Sequence, residues 1–218
     1  MDQNVKLLED IGVVLRGHFI GTQGDVKGMG RHLTEYVDKD VATSQPVALR
    51  QLARNMAALV KDLKIDVVAA PAVGAICLGA MVAEELGIRF VYLEKEGDGI
   101  VLSGKRTAFK PLVAGANVLL VEDIVNQGQT VFSSIKAIKE AGGKLAGVTC
   151  IWNRSGLTDS DLGVEVFRPL INEQLSVWTR EQCLVDGPCS KNVPINLHPG
   201  HGAAFSKLFP GYPGGFVD

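Results

Sequence analysis

The chain has 218 residues, of which 46% are hydrophobic, and its formal net charge at pH 7 is -2. This length suits one α/β domain with a sizeable core and disfavours two full domains. The sequence pI near 6.1 provides no global positive field for nucleic acid or an anionic membrane surface. An anionic ligand is therefore expected at a local site, and neither nucleic acid nor a membrane is expected as a partner.

The beginning of the sequence and its cysteines favour a cytoplasmic location. The segment 5–15 has helical apolar spacing, but Glu9 and Asp10 interrupt it, and it lacks the basic start and small-residue cleavage site of a secretory signal. No apolar run is long enough to span a bilayer. Cys77 and Cys150 lie inside apolar segments, so the cysteines are interpreted as reduced core thiols.

Strands and helices alternate along the middle of the chain. The first segments predicted are a helix near the N-terminus, a short strand within 31–40 and a helix over 46–63. The later elements are strands over 65–70, 89–93, 118–121 and 145–151, with helices over 75–86 and 130–141. The stretch 94–116 is expected to be irregular and 194–215 to be an extended tail. The alternation implies an α/β fold with a mostly parallel central sheet flanked by helices, whose ligand site lies beyond the carboxyl ends of the strands.

One segment combines two acidic residues with a glycine-containing turn. Glu122 and Asp123 follow an apolar strand, and Gly128 precedes the start of a helix. Backbone N–H groups at the turn and helix N-terminus can receive a phosphate, while the carboxyl groups can bind vicinal hydroxyls of a sugar. Taken alone, the acidic pair could be ordinary carboxylates at the end of a strand, and the glycine-containing turn could be an ordinary capped turn. The combination predicts a sugar phosphate as ligand.

The whole run VLLVEDIVNQGQT, 118–130, resembles the signature with which type I phosphoribosyltransferases bind 5-phosphoribosyl 1-diphosphate (PRPP). Where the family usually has Thr this chain has Asn126 and Gln127, and Gln129 stands where a small residue is common. Asn126 can still donate and accept hydrogen bonds. The resemblance assigns PRPP binding to Glu122, Asp123, Asn126, Gln127, Gly128, Gln129 and Thr130.

A second loop, Ala72-Val73-Gly74, lies between the strand 65–70 and the following helix. Its N–H groups can face another anion, although alone it is an ordinary strand-to-helix turn. Its position is similar to the diphosphate loop of the family, so it is also assigned to PRPP.

Two stretches resemble orotate phosphoribosyltransferases and concern the base. Gly17-His18-Phe19 is followed by Gly30-Arg31-His32 and Tyr36-Val37, with an apparent insertion between them. Arg154 follows the strand 145–151 at a position where the family has an Arg that contacts orotate, and its forked donor face suits a planar anion. Arg154, Phe19 and Asn126 are therefore assigned to orotate.

The stretches 92–96 and 102–106 are similar to the family's basic catalytic loop. The diphosphate leaving group gains negative charge as the C1–O bond breaks, and Lys105 and Arg106 could neutralise it. Lys95, Lys105 and Arg106 are accordingly the catalytic candidates.

The resemblance implies a reaction and an organisation. Orotate N1 would attack C1 of PRPP, giving diphosphate and orotidine 5'-monophosphate in the biosynthesis of UMP, a pyrimidine. Mg is expected to be carried by PRPP and water. The family is homodimeric, so a homodimer is expected. The resemblance also implies one phosphoribosyltransferase domain over 1–218, with an N-terminal hood segment 1–45, a core 46–171 and a C-terminal tail 172–218.

Three alternatives remain open: a phosphoribosyltransferase for a purine base, a non-catalytic PRPP-binding regulator, and a binding module that has lost turnover. The tail also contains residues with metal-ligand chemistry, namely Cys183, Cys189, His198 and His201. Five residues separate the two cysteines, which is a poor match to usual zinc spacing and favours a packed tail. No protein-bound metal site is predicted.

Overall fold

The computed structural model describes residues 3–21, 30–97, 99–102 and 108–218. Its contacts divide the chain into two compact units. The first unit comprises Met1–Leu7 and Lys39–Gln174, and the second comprises Leu8–Asp38 and Leu175–Asp218. Within the described ranges, none of the helices has the length and apolar character needed to span a membrane.

The elements are numbered in chain order. They are α1 Gln3–Asp10, β1 Val14–Gly21, β2 Arg31–Val37, α2 Lys39–Thr43, α3 Pro46–Val60, β3 Val67–Pro71, α4 Ile76–Leu86, β4 Arg89–Glu96, β5 Gly99–Val101, α5 Lys110–Val113, β6 Asn117–Val125, α6 Gln129–Glu140, β7 Lys144–Asn153, α7 Asp159–Leu162, β8 Phe167–Asn172, β9 Val177–Trp178, α8 Arg180–Val185, β10 Ile195–Asn196, α9 Gly202–Leu208 and β11 Phe216–Val217. A 3₁₀ helix, Pro188–Lys191, follows α8.

The first unit contains a six-stranded sheet with the order β5-β4-β3-β6-β7-β8 among the described strands. In this order, β4, β3, β6, β7 and β8 run parallel to one another, and β5 pairs antiparallel with β4. All five residues of β3 are buried, as is most of β6, which explains their continuous apolar sequences. The predicted mostly parallel sheet flanked by helices is confirmed.

Local sequence signals account for the helices beside this sheet. Pro46 occupies the first turn of α3, where a missing N–H costs nothing, and Leu52 and Met56 on its inner face are fully buried. Helix α4 ends at Gly87, whose φ of 67° places it in the left-handed region that glycine adopts readily. Both helices lie where their sequence patterns predict them.

The second unit is built from two chain segments that are far apart in sequence. The strands β1, β2 and β9 form an antiparallel sheet, and β10 pairs in parallel with β11. Its core includes Ile20 from the first segment and Ile195, Phe205 and Tyr212 from the second. The residues of the C-terminal segment thus complete a core that the N-terminal segment begins.

Two expectations about the ends of the chain are wrong. The helix predicted over 5–15 ends at Asp10, and β1 begins at Val14 after a turn at Gly12, where φ is 76°. The tail 194–215, expected to be extended, contains β10 and α9. It folds because Phe205 of α9 is buried and the β10 residue Ile195 is fully covered.

Three expectations about the middle of the chain also change. The stretch 94–116, expected to be irregular, contains the short elements β5 and α5. The strand predicted over 118–121 continues to Val125, because its last residues still pair with β7. Cys150 is buried as expected, whereas Cys77 is exposed on α4, so only one of these two thiols belongs to the core.

Candidate functional site

Three of the predicted loops follow adjacent parallel strands of the first unit. The loop 72–74 follows β3, the loop 126–128 follows β6, and the turn that begins at Arg154 follows β7. Because these strands are neighbours and parallel, their carboxyl ends share one edge of the sheet. This is the edge at which open α/β sheets bind ligands.

The acidic pair lies within the last part of β6. Glu122 is 6% exposed, and its Oε1 accepts a hydrogen bond of 3.0 Å from the Asp123 N–H. Burial, together with the nearby charge of Asp123, raises the pKa of Glu122 well above its ordinary value. The second oxygen, Oε2, is buried without a hydrogen-bond partner among the described residues. Glu122 therefore favours its neutral form and has an unused polar atom.

Asp123 lies against the loop that follows β3. A Cβ atom at Gly74 would clash with the Asp123 carboxylate and with Nζ of Lys39. The Asp123 side chain is also held in place, because its Oδ1 accepts a 2.6 Å hydrogen bond from the Ile124 N–H. The structure thus brings together the acidic pair and the glycine of the second predicted loop.

Lys39 is a site residue that the sequence reasoning missed. Its Nζ lies 3.7 Å from Oδ2 of Asp123 and 3.1 Å from Oδ1 of Asp40. Desolvation by itself lowers the pKa of Lys39, but the hydrogen bond to Asp40 and the charge of Asp123 outweigh it, so the pKa is raised. Lys39 therefore stays cationic. No sequence pattern marks it, because its neighbour Asp123 is distant in the chain.

The loop between β6 and α6 has the geometry of an anion site. Gly128 has a φ of 75° and immediately precedes the 12-residue helix α6. The first N–H groups of a helix lack intrahelical partners and carry the positive end of its dipole. Gln129 and Thr130 are exposed in this first turn, while Asn126 just before it is partly buried. Backbone donors are thus presented directly after the acidic pair.

Arg154 is anchored beside this loop. Its N–H donates a 3.0 Å hydrogen bond to the carbonyl of Val125, the residue before Asn126. Asn153 is buried and organises the turn, since its Nδ2 donates to the Leu157 carbonyl at 2.7 Å and to Asn172 Oδ1 at 2.8 Å. Asn153 therefore has a structural role, and it fixes the backbone from which Arg154 projects.

The remaining predicted residues do not belong to these three loops. Phe19 belongs to the second unit, where it is buried and its ring centroid is 5.8 Å from that of Tyr36. Lys95 is exposed near the end of β4, opposite Ile100 of β5. Lys105 and Arg106 lie outside the described residues.

The carboxyl groups at this edge are poorly suited to hold a bare divalent ion. Among the described residues, no group of three or more His, Cys, Asp or Glu side chains forms around Glu122 and Asp123. In addition, Lys39 already places a cation 3.7 Å from Asp123. This donor set fits a Mg ion that arrives with a diphosphate and its own waters better than one caged by protein.

Comparison with known proteins identifies the family of the chain. The profile of the phosphoribosyl transferase domain matches residues 42–178. Orotate phosphoribosyltransferase from Thermus thermophilus is 32% identical over 191 residues, which are 88% of this chain and 97% of that protein.

Solved structures share the fold. The crystal structure of orotate phosphoribosyltransferase from Aeropyrum pernix has a TM-score of 0.60 at 19% identity, covering 82% of this chain and 94% of that one. Adenine phosphoribosyltransferase from Thermoanaerobacter pseudethanolicus has a TM-score of 0.56 at 20% identity, covering 75% and 98%. The fold is thus common to enzymes named for different bases. From the profile match and the similarity over most of the chain, the chain belongs to the phosphoribosyltransferase family, has the type I fold, and is similar to orotate phosphoribosyltransferases.

Proposed function

We propose that this protein is an orotate phosphoribosyltransferase, which transfers the 5-phosphoribosyl group from PRPP to orotate. The observation that carries the proposal is the juxtaposition of Asp123 with the Gly74 loop, beside the N-terminus of α6. This edge offers a hydroxyl-binding carboxylate and two sets of backbone donors, as a molecule with a ribose and phosphates at both ends requires. The similarity to orotate enzymes over most of the chain supports orotate as the base.

In this proposal the parts of PRPP are divided among the loops. The 5'-phosphate binds the loop 126–130, where Gly128 allows the backbone to approach closely. The ribose hydroxyls bind Glu122 and Asp123, and the diphosphate binds the loop 72–74 near Lys39. Lys95, Lys105 and Arg106 are proposed to neutralise the leaving group.

The base is proposed to bind beside the 5'-phosphate loop. Arg154 provides the forked donor for the orotate carboxylate or ring oxygens, and Asn126 provides a smaller polar contact. The support from geometry is the hydrogen bond that the Arg154 N–H donates to the carbonyl of Val125. Because Val125 directly precedes Asn126, this bond holds the Arg154 backbone next to Asn126.

The reaction needs positioning and charge stabilisation. A bond forms between orotate N1 and C1 of the ribose while the C1–O bond breaks and its electrons leave with the diphosphate. The proton that orotate N1 carried passes to the diphosphate or to solvent. Positive charge develops on the ribose ring and negative charge on the diphosphate. In this proposal Asp123 stabilises the charge on the ribose, and the lysines stabilise the charge on the diphosphate. Mg bound to the diphosphate would supply further charge neutralisation. No protein nucleophile takes part.

The same resemblance supports two further proposals. The protein would act as a homodimer, and it would act in the cytoplasm, in pyrimidine biosynthesis. Sedimentation of the purified protein measures the first: a mass near twice the 23.3 kDa chain is expected, and a monomer would contradict it.

The function is tested by incubating the protein with PRPP, Mg and orotate and following the loss of orotate absorbance. Adenine, guanine, xanthine and uracil are offered in parallel. Consumption of orotate alone, dependent on Mg, is the expected result. Consumption of a different base, or PRPP binding without turnover on any base, would contradict the proposal.

Arg154→Ala tests the assignment of the base contact. Loss of a charged hydrogen bond costs ~1.5–3 kcal/mol, so kcat/KM for orotate should fall by about 10- to 150-fold while PRPP affinity changes little. Arg50→Ala is the control, because Arg50 pairs with Glu84 on the helix surface of the same unit. Equal effects of the two substitutions would remove Arg154 from the site.

A further inference from the structure

Four side chains with metal-ligand chemistry converge inside the second unit, and the proposed reaction uses none of them. They are His18, His32, Cys183 and Cys189, all four of them buried. One donor atom from each lies within 4.8 Å of every other. His198 and His201, which the sequence placed near the cysteines, are not part of this group.

The distances between the donor atoms suit a tetrahedral ion. Bond lengths of about 2.3 Å for Zn–S and 2.0 Å for Zn–N imply sulfur-to-nitrogen edges of about 3.5 Å in a tetrahedron. The observed separations are 3.8 Å from Cys183 Sγ to His18 Nε2, 3.7 Å from Cys189 Sγ to the same atom, and 3.5 Å from Cys189 Sγ to His32 Nδ1. The two histidine nitrogens are 2.7 Å apart, closer than the corresponding edge of about 3.3 Å. A small outward movement of one ring would therefore complete the tetrahedron.

The surroundings of the four side chains orient them as ligands. His18 Nδ1 lies 2.8 Å from the carbonyl of Val193, so this nitrogen carries the proton and Nε2 directs its lone pair into the group. The N–H of Cys189 donates to Cys183 Sγ at 3.2 Å, which fixes the position of this sulfur within the group. The hydroxyl of Tyr212 lies 3.5 Å from Cys189 Sγ and can donate to it once that sulfur is ionised.

A turn overcomes the unfavourable spacing of the cysteines. Helix α8 ends just after Cys183, and Gly187 packs so closely on that residue that a Cβ atom would lie 2.8 Å from the Cys183 Cα and Sγ atoms. The chain thereby reverses and Cys189, in the following 3₁₀ helix, returns to the sulfur of Cys183. The five intervening residues therefore do not prevent the two cysteines from binding the same metal ion.

We propose that His18, His32, Cys183 and Cys189 form a structural zinc site. Two sulfurs and two imidazole nitrogens in a buried tetrahedral set are typical of closed, structural Zn²⁺ sites. The ion would join β1 and β2 of the N-terminal segment to the α8 region of the C-terminal segment. Because this unit is assembled from distant parts of the chain, such a link would contribute directly to its folding free energy.

The test is elemental analysis of the full chain purified without chelators. About one zinc per chain is expected in the wild-type protein, and less than about a tenth of that in Cys183→Ser and in Cys189→Ser. Cys77→Ser and His201→Ala are the matched controls, since Cys77 is exposed and His201 lies outside the group. Both controls should retain the metal.

A second measurement keeps the test decisive if the cysteine variants fail to fold. In the wild-type protein, alkylation should label Cys77 at once and label Cys183 and Cys189 only after a strong zinc chelator is added, and the same chelator should lower the Tm. Replacement of zinc by Co²⁺ should produce the absorption of thiolate-bound tetrahedral cobalt. Wild-type protein that contains no zinc and whose Tm is unchanged by added zinc would overturn the proposal, as would full zinc retention by both cysteine variants. Neither result depends on phosphoribosyltransferase activity.

Discussion

Asp123 joins two loops of the site through one carboxylate. It contacts Lys39 at 3.7 Å, lies against Gly74, and accepts a backbone hydrogen bond from the next residue. Its neighbour Glu122 points to a more buried position and favours the neutral form. The two adjacent acidic residues therefore differ in environment: Glu122 is buried, and Asp123 is the member that faces Lys39 and the loop 72–74.

Asp123→Asn should reduce activity strongly without unfolding the protein. The amide keeps the shape of the side chain but loses the charge that binds a ribose hydroxyl and faces the developing positive charge. A loss of ~2–3 kcal/mol corresponds to about a 30- to 150-fold decrease in kcat/KM for PRPP. Asp40→Asn is the matched control, because Asp40 also pairs with Lys39 but its side chain is 83% exposed. Similar losses for both variants would assign the effect to Lys39 instead.

Glu122→Gln should change how stability depends on pH. The folded-state pKa of Glu122 is raised above its ordinary value of 4.5, so the buried neutral acid stabilises the fold at low pH and this contribution is lost as pH rises. Gln does not titrate. The Tm of the variant relative to wild type should therefore increase as the pH rises above the ordinary Glu pKa of 4.5.

The control for this measurement is Glu140→Gln, a substitution at an exposed position near the end of α6. Thermal melts of the three proteins across the pH range supply the comparison. A Glu122→Gln difference that stays constant with pH would contradict the expected protonation of Glu122.

At the scale of elements, the site depends on how closely the loop after β3 approaches β6. The two strands are adjacent and parallel, with Val67 opposite Val118, so their carboxyl ends emerge side by side. Gly74 is required there for steric reasons, since its Cβ would meet the Asp123 carboxylate. Strand pairing sets the position of the loop, and the absence of a side chain permits the contact.

Gly74→Ala should displace the loop or the carboxylate. A displacement near 1 Å at reacting groups costs on the order of 100-fold in rate, so kcat/KM should fall by roughly that factor. Gly211→Ala is the control, because a Cβ there meets nothing within 4 Å. Activity equal to that of the control variant would mean that the close approach is dispensable.

At the scale of the whole molecule, the chain is organised as two units with different connectivity. The first is dominated by one segment, Lys39–Gln174, whereas the second combines segments from both ends. In the second unit Phe205 is 2% exposed, and its ring contacts those of His32, Phe209 and Tyr212 at centroid distances of 5.4, 4.7 and 5.0 Å. The buried face of α9 therefore connects the C-terminal segment to β2.

Phe205→Ala should destabilise this unit by ~3–5 kcal/mol, because it removes a large buried ring and leaves a cavity. Leu208→Ala, on the same helix but 60% exposed, should change stability by less than about 0.5 kcal/mol. Urea unfolding monitored by tryptophan fluorescence compares the two. Equal midpoints would show that α9 is not essential to the core.

The sequence by itself predicted the central strands β3, β4, β6 and β7 of the mostly parallel sheet, the helices α3, α4 and α6, and the order of elements in the segment 118–130. These features rest on local signals: continuous apolar runs indicate buried strands, and glycines and prolines mark the ends of helices. The order of strand, acidic pair, glycine turn and helix is also local, so the amino-acid sequence alone predicts a sugar-phosphate site at Glu122, Asp123 and Gly128.

Only the tertiary structure decided which distant residues meet. Lys39 and Gly74 lie next to Asp123, and His18 and His32 lie next to Cys183 and Cys189. These residues are far apart in the sequence, and no helix or strand periodicity predicts that they meet. The same holds for the tail, which folds because it covers apolar surface supplied by the other end of the chain. Local sequence patterns indicate which face of an element is buried, but they do not show which element packs against that face. That choice depends on the packing of the whole unit. Ion pairs and groups of metal-ligating residues that come from separate elements depend on the same packing.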